Sequence, residues 1–362
     1  MSFNPARLGI ARKRRLLTKK ALSELIAVSQ HTITRWERHQ SEPTAENVEA
    51  IARSLKYPRE FFFRPEVDEP EAASTSFRSL TSMTAAIRDG ALAAGSLGFE
   101  ISDWVEKRFS LPSLSVPNFQ AASQREPDNA ARILRQEWAL GEQPVSNMIQ
   151  LLESKGVRVF SLSENTTKVD AYSLWRGGTP FVFLNNFKSA ERSRFDAAHE
   201  LGHLVLHQDG RCLGRVSEDQ ANSFASSFLM PRADILAHLS RVHSLDQLIR
   251  EKRRWRVSLA ALCYRLHKLG LLSDWRYRDF SIEMANRGYL RTEPNGIDRE
   301  KSLVWKKVLT ALWAEKSTHQ NISSDLSIPE SEVVGLLFGI LSEDVSGKKT
   351  VSPSEPLRLV AN

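Results

Sequence analysis

Apolar residues recur at helical spacing through the first sixty positions. In "PARLGIARKRRL" Leu8 and Ala11 stand three apart. Thr18 precedes "KKALSELIA", where Leu22, Leu25 and Ile26 form a stripe, and its hydroxyl suits an N-cap. After the turn "AVS", Ser29 can cap "QHTITRWERHQ", whose Ile33 and Trp36 face inward. "TAENVEAIARSL" buries Val48, Ile51, Ala52 and Leu55, and "PREFFF" closes a bundle of five short helices.

The rhythm then breaks. "RPEVDEPEAASTS" is rich in proline, acid and small residues and reads as a linker. One or two helices are predicted within 80–109, and "LPSLSVPNF" must be extended because its two prolines exclude a helix. No chemistry is evident in 65–125, which reads as a helical spacer. From 127, "DNAARILRQEWAL" and "SNMIQLLESKG" are amphipathic, the second closed by Gly156. "VRVFSL", "DAYSLW" and "PFVFLN" are short β-rich runs. Helices resume in "FDAAHELGHLVLH" and "SEDQANSFASSFLMP", the latter burying Ala221, Phe224, Ala225 and Phe228.

Further on, "REKSLVWKKVLTALWAEKS" turns Leu303, Val304, Val308, Leu309 and Leu312 inward. "ISSDLSIPESEVVGLLFGIL" adds two helices in a helix-turn-helix-like arrangement with few basic groups on the second, read first as packing or partner contact, with DNA contact as the alternative. The predicted fold is mainly α, of the α+β kind. A five-helix bundle (1–64) is followed by a linker and spacer (65–125) and a domain with a small β-sheet (126–290). A helical C-terminal region (291–345) and a disordered tail (346–362) complete it.

Charge sharpens this picture at one end. The 362 residues carry a formal net charge of +7. Residues 1–56 hold eleven Lys and Arg against five Glu, while the remainder is nearly neutral. Such a local excess points to a polyanion, with a merely solvated charged face as the bland alternative. A short helix, a tight turn and a second helix with small polar residues at its start are the ingredients of major-groove reading. The outward face of "QHTITRWERHQ" offers Gln30, His31, Thr32, Thr34, Arg35 and Arg38. Gln and Arg suit base edges, and Lys19, Lys20 and Arg38 suit phosphates. Double-stranded DNA is the expected partner.

No apolar run approaches the length of a membrane span, and no apolar stretch follows the basic N-terminus as in a secretory leader. Two cysteines give no disulfide framework. A cytoplasmic location is expected.

In "RFDAAHELGHLVLH", His199 and His203 are four apart and share one helix face, so two imidazole nitrogens can aim at one zinc ion. Glu200 is adjacent, placed beside the metal to take a proton from attacking water. A catalytic zinc needs a third protein ligand. Glu218 fits, on a helix whose small residues permit close packing, with Asp219 and Gln220 as rivals. His207 lies a further turn along, too far for a tetrahedral ion shared with His199 and His203. It is read as an outer contact or a core residue. Cys212 is a candidate for the open zinc position, with a packed or surface thiol as the plainer reading. Tyr172 is either an oxyanion donor or a core tyrosine.

Across residues 6–62 the chain resembles the Xre family of phage-repressor-like helix-turn-helix domains. The resemblance rests on "T-KK-AL-S-ELIAVS-HTITRWERHQSEPTAENVEAIARSL", with Ala27 where that family often has Gly and Lys19 where Gln is common. Residues 127–290 resemble the ImmA/IrrE family of zinc metallopeptidases, with a zincin-like fold. That resemblance rests on "ER-SRFDAAHELGHLVLH", "E-DQAN-SFASSFLMP" and "VSLAALCYRLHKLGLL". It implies His199, His203 and Glu218 as zinc ligands and Glu200 as general base. It also implies a protein substrate that is itself a helix-turn-helix repressor, cut in a stress, phage or mobile-element response. Since many Xre proteins dimerise, a homodimer is expected. The alternative is a regulator whose peptidase-like domain only senses a ligand or partner, as in a toxin–antitoxin or defence system.

Overall fold

Four polar residues set where the first helices begin. In the computed structural model, α1 (Pro5–Arg14), α2 (Lys19–Leu25), α3 (Gln30–Glu37) and α4 (Ala45–Leu55) follow Asn4, Thr18, Ser29 and Thr44. Each of these side chains accepts a backbone N–H from the first turn, a cap worth about 1 kcal/mol. Thr18 and Ser29 thus act as predicted. A 3₁₀ turn, Arg59–Phe63, closes the five-helix bundle over Leu8, Leu22, Ile33, Trp36 and Ile51, all buried. Leu25 departs from expectation and is 59% exposed. Helix α2 ends there, and Ile26 fills the inward place. Ala27 then adopts φ 53°, the left-handed region in which an L residue costs about 1 kcal/mol more than glycine.

The structure describes residues 2–70, 76–77, 84–119, 126–162, 171–185, 187–207, 214–337, 339 and 341. The predicted disordered tail and Cys212 lie outside them. The chain divides into two units, the first formed by 1–111, 160–170 and 302–362 and the second by 112–159 and 171–301.

In the first unit a two-residue strand, β1 (Ser76–Phe77), precedes the single long helix α5 (Ala85–Glu106). Helix α5 packs on α1. A Cβ at Gly90 would stand 2.6 Å from Leu16 Cδ2 and 3.2 Å from the Lys13 carbonyl, so the bare glycine permits this approach.

The second unit holds the extended stretch 112–119, α6 (Pro127–Glu137) and α7 (Met148–Ser154). Gly156 at φ +83° ends α7, where a Cβ would lie 2.7 Å from the backbone of Leu114. Strand β2 (Arg158–Leu162) begins in this unit. Strands β3 (Ala171–Arg176) and β4 (Thr179–Asn185) form an antiparallel hairpin with Tyr172 opposite Phe183 and Ser173 opposite Val182. Its turn is Gly177–Gly178, both at positive φ, as a two-residue hairpin loop demands.

Helix α8 (Ala190–Leu206) lies against β3 and β4, and α9 (Arg215–Leu229) packs along α8. Ala221, Phe224, Ala225 and Phe228 are all buried, as their spacing predicted. A Cβ on Gly202 of α8 would come 3.1 Å from Phe224 and 3.3 Å from Ala221, so glycine sets how closely α9 approaches. Helices α10 (Arg232–His238), α11 (Leu245–Trp255), α12 (Leu259–Lys268) and α13 (Asp274–Asn286) complete the unit.

The chain then supplies α14 (Val304–Ala314), α15 (His319–Leu326) and α16 (Glu330–Leu337) to the first unit. Val308, Leu309 and Leu312 are buried as expected, but Val304 is only half-buried and Leu303 is exposed because the helix starts after it, and Trp305 takes the inward place. Two acids tie these helices to the first unit's other elements. Asp325 accepts from Trp104 Nε1 at 2.9 Å and Arg108 at 3.0 Å. Glu332, buried, pairs with Arg14 at 2.8 Å and Arg15 at 2.5 Å. Burial acts to raise the Glu332 carboxyl, but the two guanidiniums outweigh it and hold it below its ordinary range. The fold is therefore mainly α with a small sheet. Among the described residues, no helix is long and apolar enough to cross a membrane.

Candidate metal centre and nucleic-acid face

Helix α8 carries its histidines into the interior. Ser189 caps its start and its hydroxyl accepts from the Arg192 N–H. His199 and Glu200 are fully buried and His203 nearly so. One turn separates the two imidazoles, whose Nε2 atoms face each other at 3.0 Å. Glu218, in the first turn of α9, reaches the same point. Its Oε2 lies 3.3 Å from His199 Nε2 and its Oε1 3.4 Å from His203 Nε2. His199, His203 and Glu218 each offer one donor atom, all within 4.8 Å of one another.

A tetrahedral zinc with ligands at roughly 2.0–2.1 Å separates neighbouring donors by about 3.3 Å. The two Nε2 atoms are 3.0 Å apart, and each lies at a comparable distance, 3.3 and 3.4 Å, from a different oxygen of the Glu218 carboxylate, separations close to the edge of such a tetrahedron. The residues present therefore fit a metal ion of that kind.

The outer nitrogens are fixed as well. His199 Nδ1 meets Asn222 Oδ1 at 3.1 Å, an oxygen that only accepts, so Nδ1 bears the proton and Nε2 keeps its lone pair. His203 Nδ1 meets His207 Nδ1 at 2.9 Å, and His207 Nε2 meets Gln220 Oε1 at 2.9 Å. Gln220 accepts, so His207 carries its proton on Nε2, and the one proton between the two Nδ1 atoms belongs to His203. Both lone pairs then converge. Of the residues weighed against Glu218, Gln220 is engaged with His207, and Asp219 is outside the three-residue cluster.

The Glu200 side chain accepts a 2.7 Å hydrogen bond from the Ser173 hydroxyl, through Oε2. Sequence reasoning missed Ser173, which lies 27 residues away and becomes adjacent only when β3 packs on α8. Its neighbour Tyr172 is buried and stacks on Phe183 at 4.6 Å between ring centroids, the packing of a core tyrosine.

The helix-turn-helix face is built differently. Gln30, His31, Arg35 and Arg38 are exposed on α3 or at its end. Thr32 and Thr34 are half-buried, and their hydroxyls meet Ser29 Oγ at 2.8 Å and the Gln30 carbonyl at 3.1 Å. Lys19 is held 3.0 Å from Glu37, which also binds Arg12 at 2.6 Å. Several N-terminal cations are thus ion-paired within the unit: Arg7 with Glu100, Lys13 with Glu69, and Arg14 and Arg15 with the one shared carboxylate of Glu332. The raw charge of residues 1–56 overstates what a polyanion would meet. Arg35 and Arg38 have no ion-pair partner among the described residues.

No curated protein matches the chain. Residues 8–62 match the family model described as helix-turn-helix, and residues 152–267 match a peptidase-family model described as the IrrE N-terminal-like domain. The chain accordingly joins an Xre-type helix-turn-helix domain to a metallopeptidase-like domain of the IrrE and ImmA kind.

Proposed function

We propose that this protein is a DNA-binding regulator carrying a zinc-dependent endopeptidase, whose substrate is a helix-turn-helix repressor. The observation that carries the peptidase reading is the convergence of His199, His203 and Glu218 beside Glu200. These three residues would hold the zinc, which when bound polarises a peptide carbonyl and eases ionisation of water.

The remaining work falls to the chain. Glu200 takes the proton of the attacking water on its carboxylate and returns it to the departing amine. Ser173 fixes that carboxylate through Oε2, so the acid is oriented before substrate arrives. Asn222 and the His207–Gln220 pair hold the two imidazoles in the tautomer that leaves Nε2 able to bind. Burial of Glu200 lowers the local dielectric and strengthens each of these interactions.

On the other unit, Gln30, His31, Arg35 and Arg38 supply base and phosphate contacts, with Thr32 and Thr34 at the margin and Lys19 turned toward Glu37. The experiment mixes the zinc-loaded protein with helix-turn-helix repressors encoded beside it and follows discrete cleavage by mass spectrometry. Cleavage by the wild type, and roughly 10²–10⁴-fold less by Glu200→Gln, is expected. Binding of a repressor without cleavage by either protein would overturn the peptidase reading and favour a non-proteolytic sensor.

A further inference from the structure

The second unit contains a cavity of about 510 Å³ whose walls include four arginines, Arg132, Arg135, Arg232 and Arg265. Two carboxylates, Asp128 and Glu142, also line it, leaving an excess of two positive charges. Buried charges in proteins are ordinarily paired. Arg135 is not. It is only 3% exposed, and its guanidinium donates to the backbone carbonyls of Gly141, Gln143 and Phe228, at 2.8, 2.5 and 2.6 Å. All three acceptors are neutral. The Phe228 carbonyl lies in the last turn of α9 and offers only a fraction of a charge. Burial pulls the Arg135 pKa down and outweighs the opposing charges of Glu142 and Asp234.

Arg265, also buried, has a share in one carboxylate, Asp128 at 3.3 Å, and donates its Nε to the Met230 carbonyl. Arg132 and Arg232 are exposed at the rim. Arg132 bonds the neutral amides of Asn129 and Gln136, and Arg232 has no ion-pair partner among the described residues. The cavity is thus short of a counter-charge.

We infer that this cavity binds a small phosphomonoester. A phosphomonoester carries close to two negative charges at neutral pH, the excess the walls present. Guanidinium forks match phosphate oxygens in pairs, and the rim arginines remain available for this. The cavity is larger than phosphate alone, and Pro231, Ala233 and Leu236 offer an apolar wall to the organic part. The inference stands apart from the peptidase reading, because it concerns binding and not cleavage.

The test is calorimetric titration of the full-length protein with phenyl phosphate. Saturable binding at one site is expected, tighter than that of inorganic phosphate. Arg132→Ala combined with Arg232→Ala, both at the surface and tolerable to the fold, should weaken it by at least about tenfold. Arg35→Ala with Arg38→Ala, on the other unit, should leave it unchanged. No saturable binding, or binding indifferent to loss of Arg132 and Arg232, would overturn the inference. Binding lost with Arg35 and Arg38 would overturn it too, by assigning the phosphate to the helix-turn-helix face.

Discussion

The metal cluster and the helix-turn-helix face are both made of polar side chains on short helices, yet they are opposite constructions. At the cluster, His199, His203, Glu200 and Glu218 point inward and are held by Asn222, His207, Gln220 and Ser173. On α3, Gln30, His31, Arg35 and Arg38 point to solvent. A site that performs chemistry gains from groups already oriented, because misplacement costs rate. A face that reads a long polymer gains from adaptable side chains and from charge. One region spends its polar groups on one another, and the other keeps them for a partner.

That contrast is broken most severely at Glu200. Glu200→Gln should lower cleavage by roughly 10²–10⁴-fold while retaining the metal, read by kinetics beside metal analysis. Equal cleavage would remove the proton-transfer role.

A second break falls on the ion pairs that neutralise α1. Glu332→Gln leaves Arg14 and Arg15 without their buried partner and should destabilise the first unit by about 3–5 kcal/mol at neutral pH, read by denaturant unfolding. The folded carboxyl titrates below its ordinary 4.5, so its contribution is present above that pH and lost as pH falls further. The gap between variant and wild type should therefore close in acid. A constant gap would contradict the ion-pair account.

Much of this was legible beforehand, and the boundary of legibility is physical. The i, i+4 spacing of His199 and His203 encodes a shared face, and the small residues of "ANSFASS" encode the close approach that delivers Glu218. Helix starts at Thr18 and Ser29 follow from local hydrogen bonding. What escaped was set by distant packing: Ser173 on β3, or Glu332 lying 318 positions from Arg14. Net charge misled for the same reason, since pairing partners such as Glu100 and Glu332 lie far along the chain. A periodic stripe places Leu25 and Leu303 inward, yet both sit where a helix ends or starts and so lie exposed.

Two smaller effects sharpen the comparison. His207→Leu removes the acceptor for His203 Nδ1 and should weaken zinc binding by about 10–100-fold in chelator competition. An unchanged affinity would reduce His207 to packing. Arg35→Ala with Arg38→Ala should weaken DNA binding and lower its salt slope by about 2. The slope of the wild type should be smaller than its N-terminal charge suggests, because Arg7, Arg12, Lys13, Arg14 and Arg15 are already paired.

The central claim is that two imidazoles and the carboxylate of the next helix hold one zinc ion. Metal analysis of the purified protein, reconstituted with zinc and dialysed, tests it directly. The account predicts one zinc per chain in the wild type and near-complete loss in both His203→Ala and Glu218→Ala. A wild type that retains no zinc, or a Glu218→Ala protein that keeps a full equivalent at undiminished affinity, would contradict it.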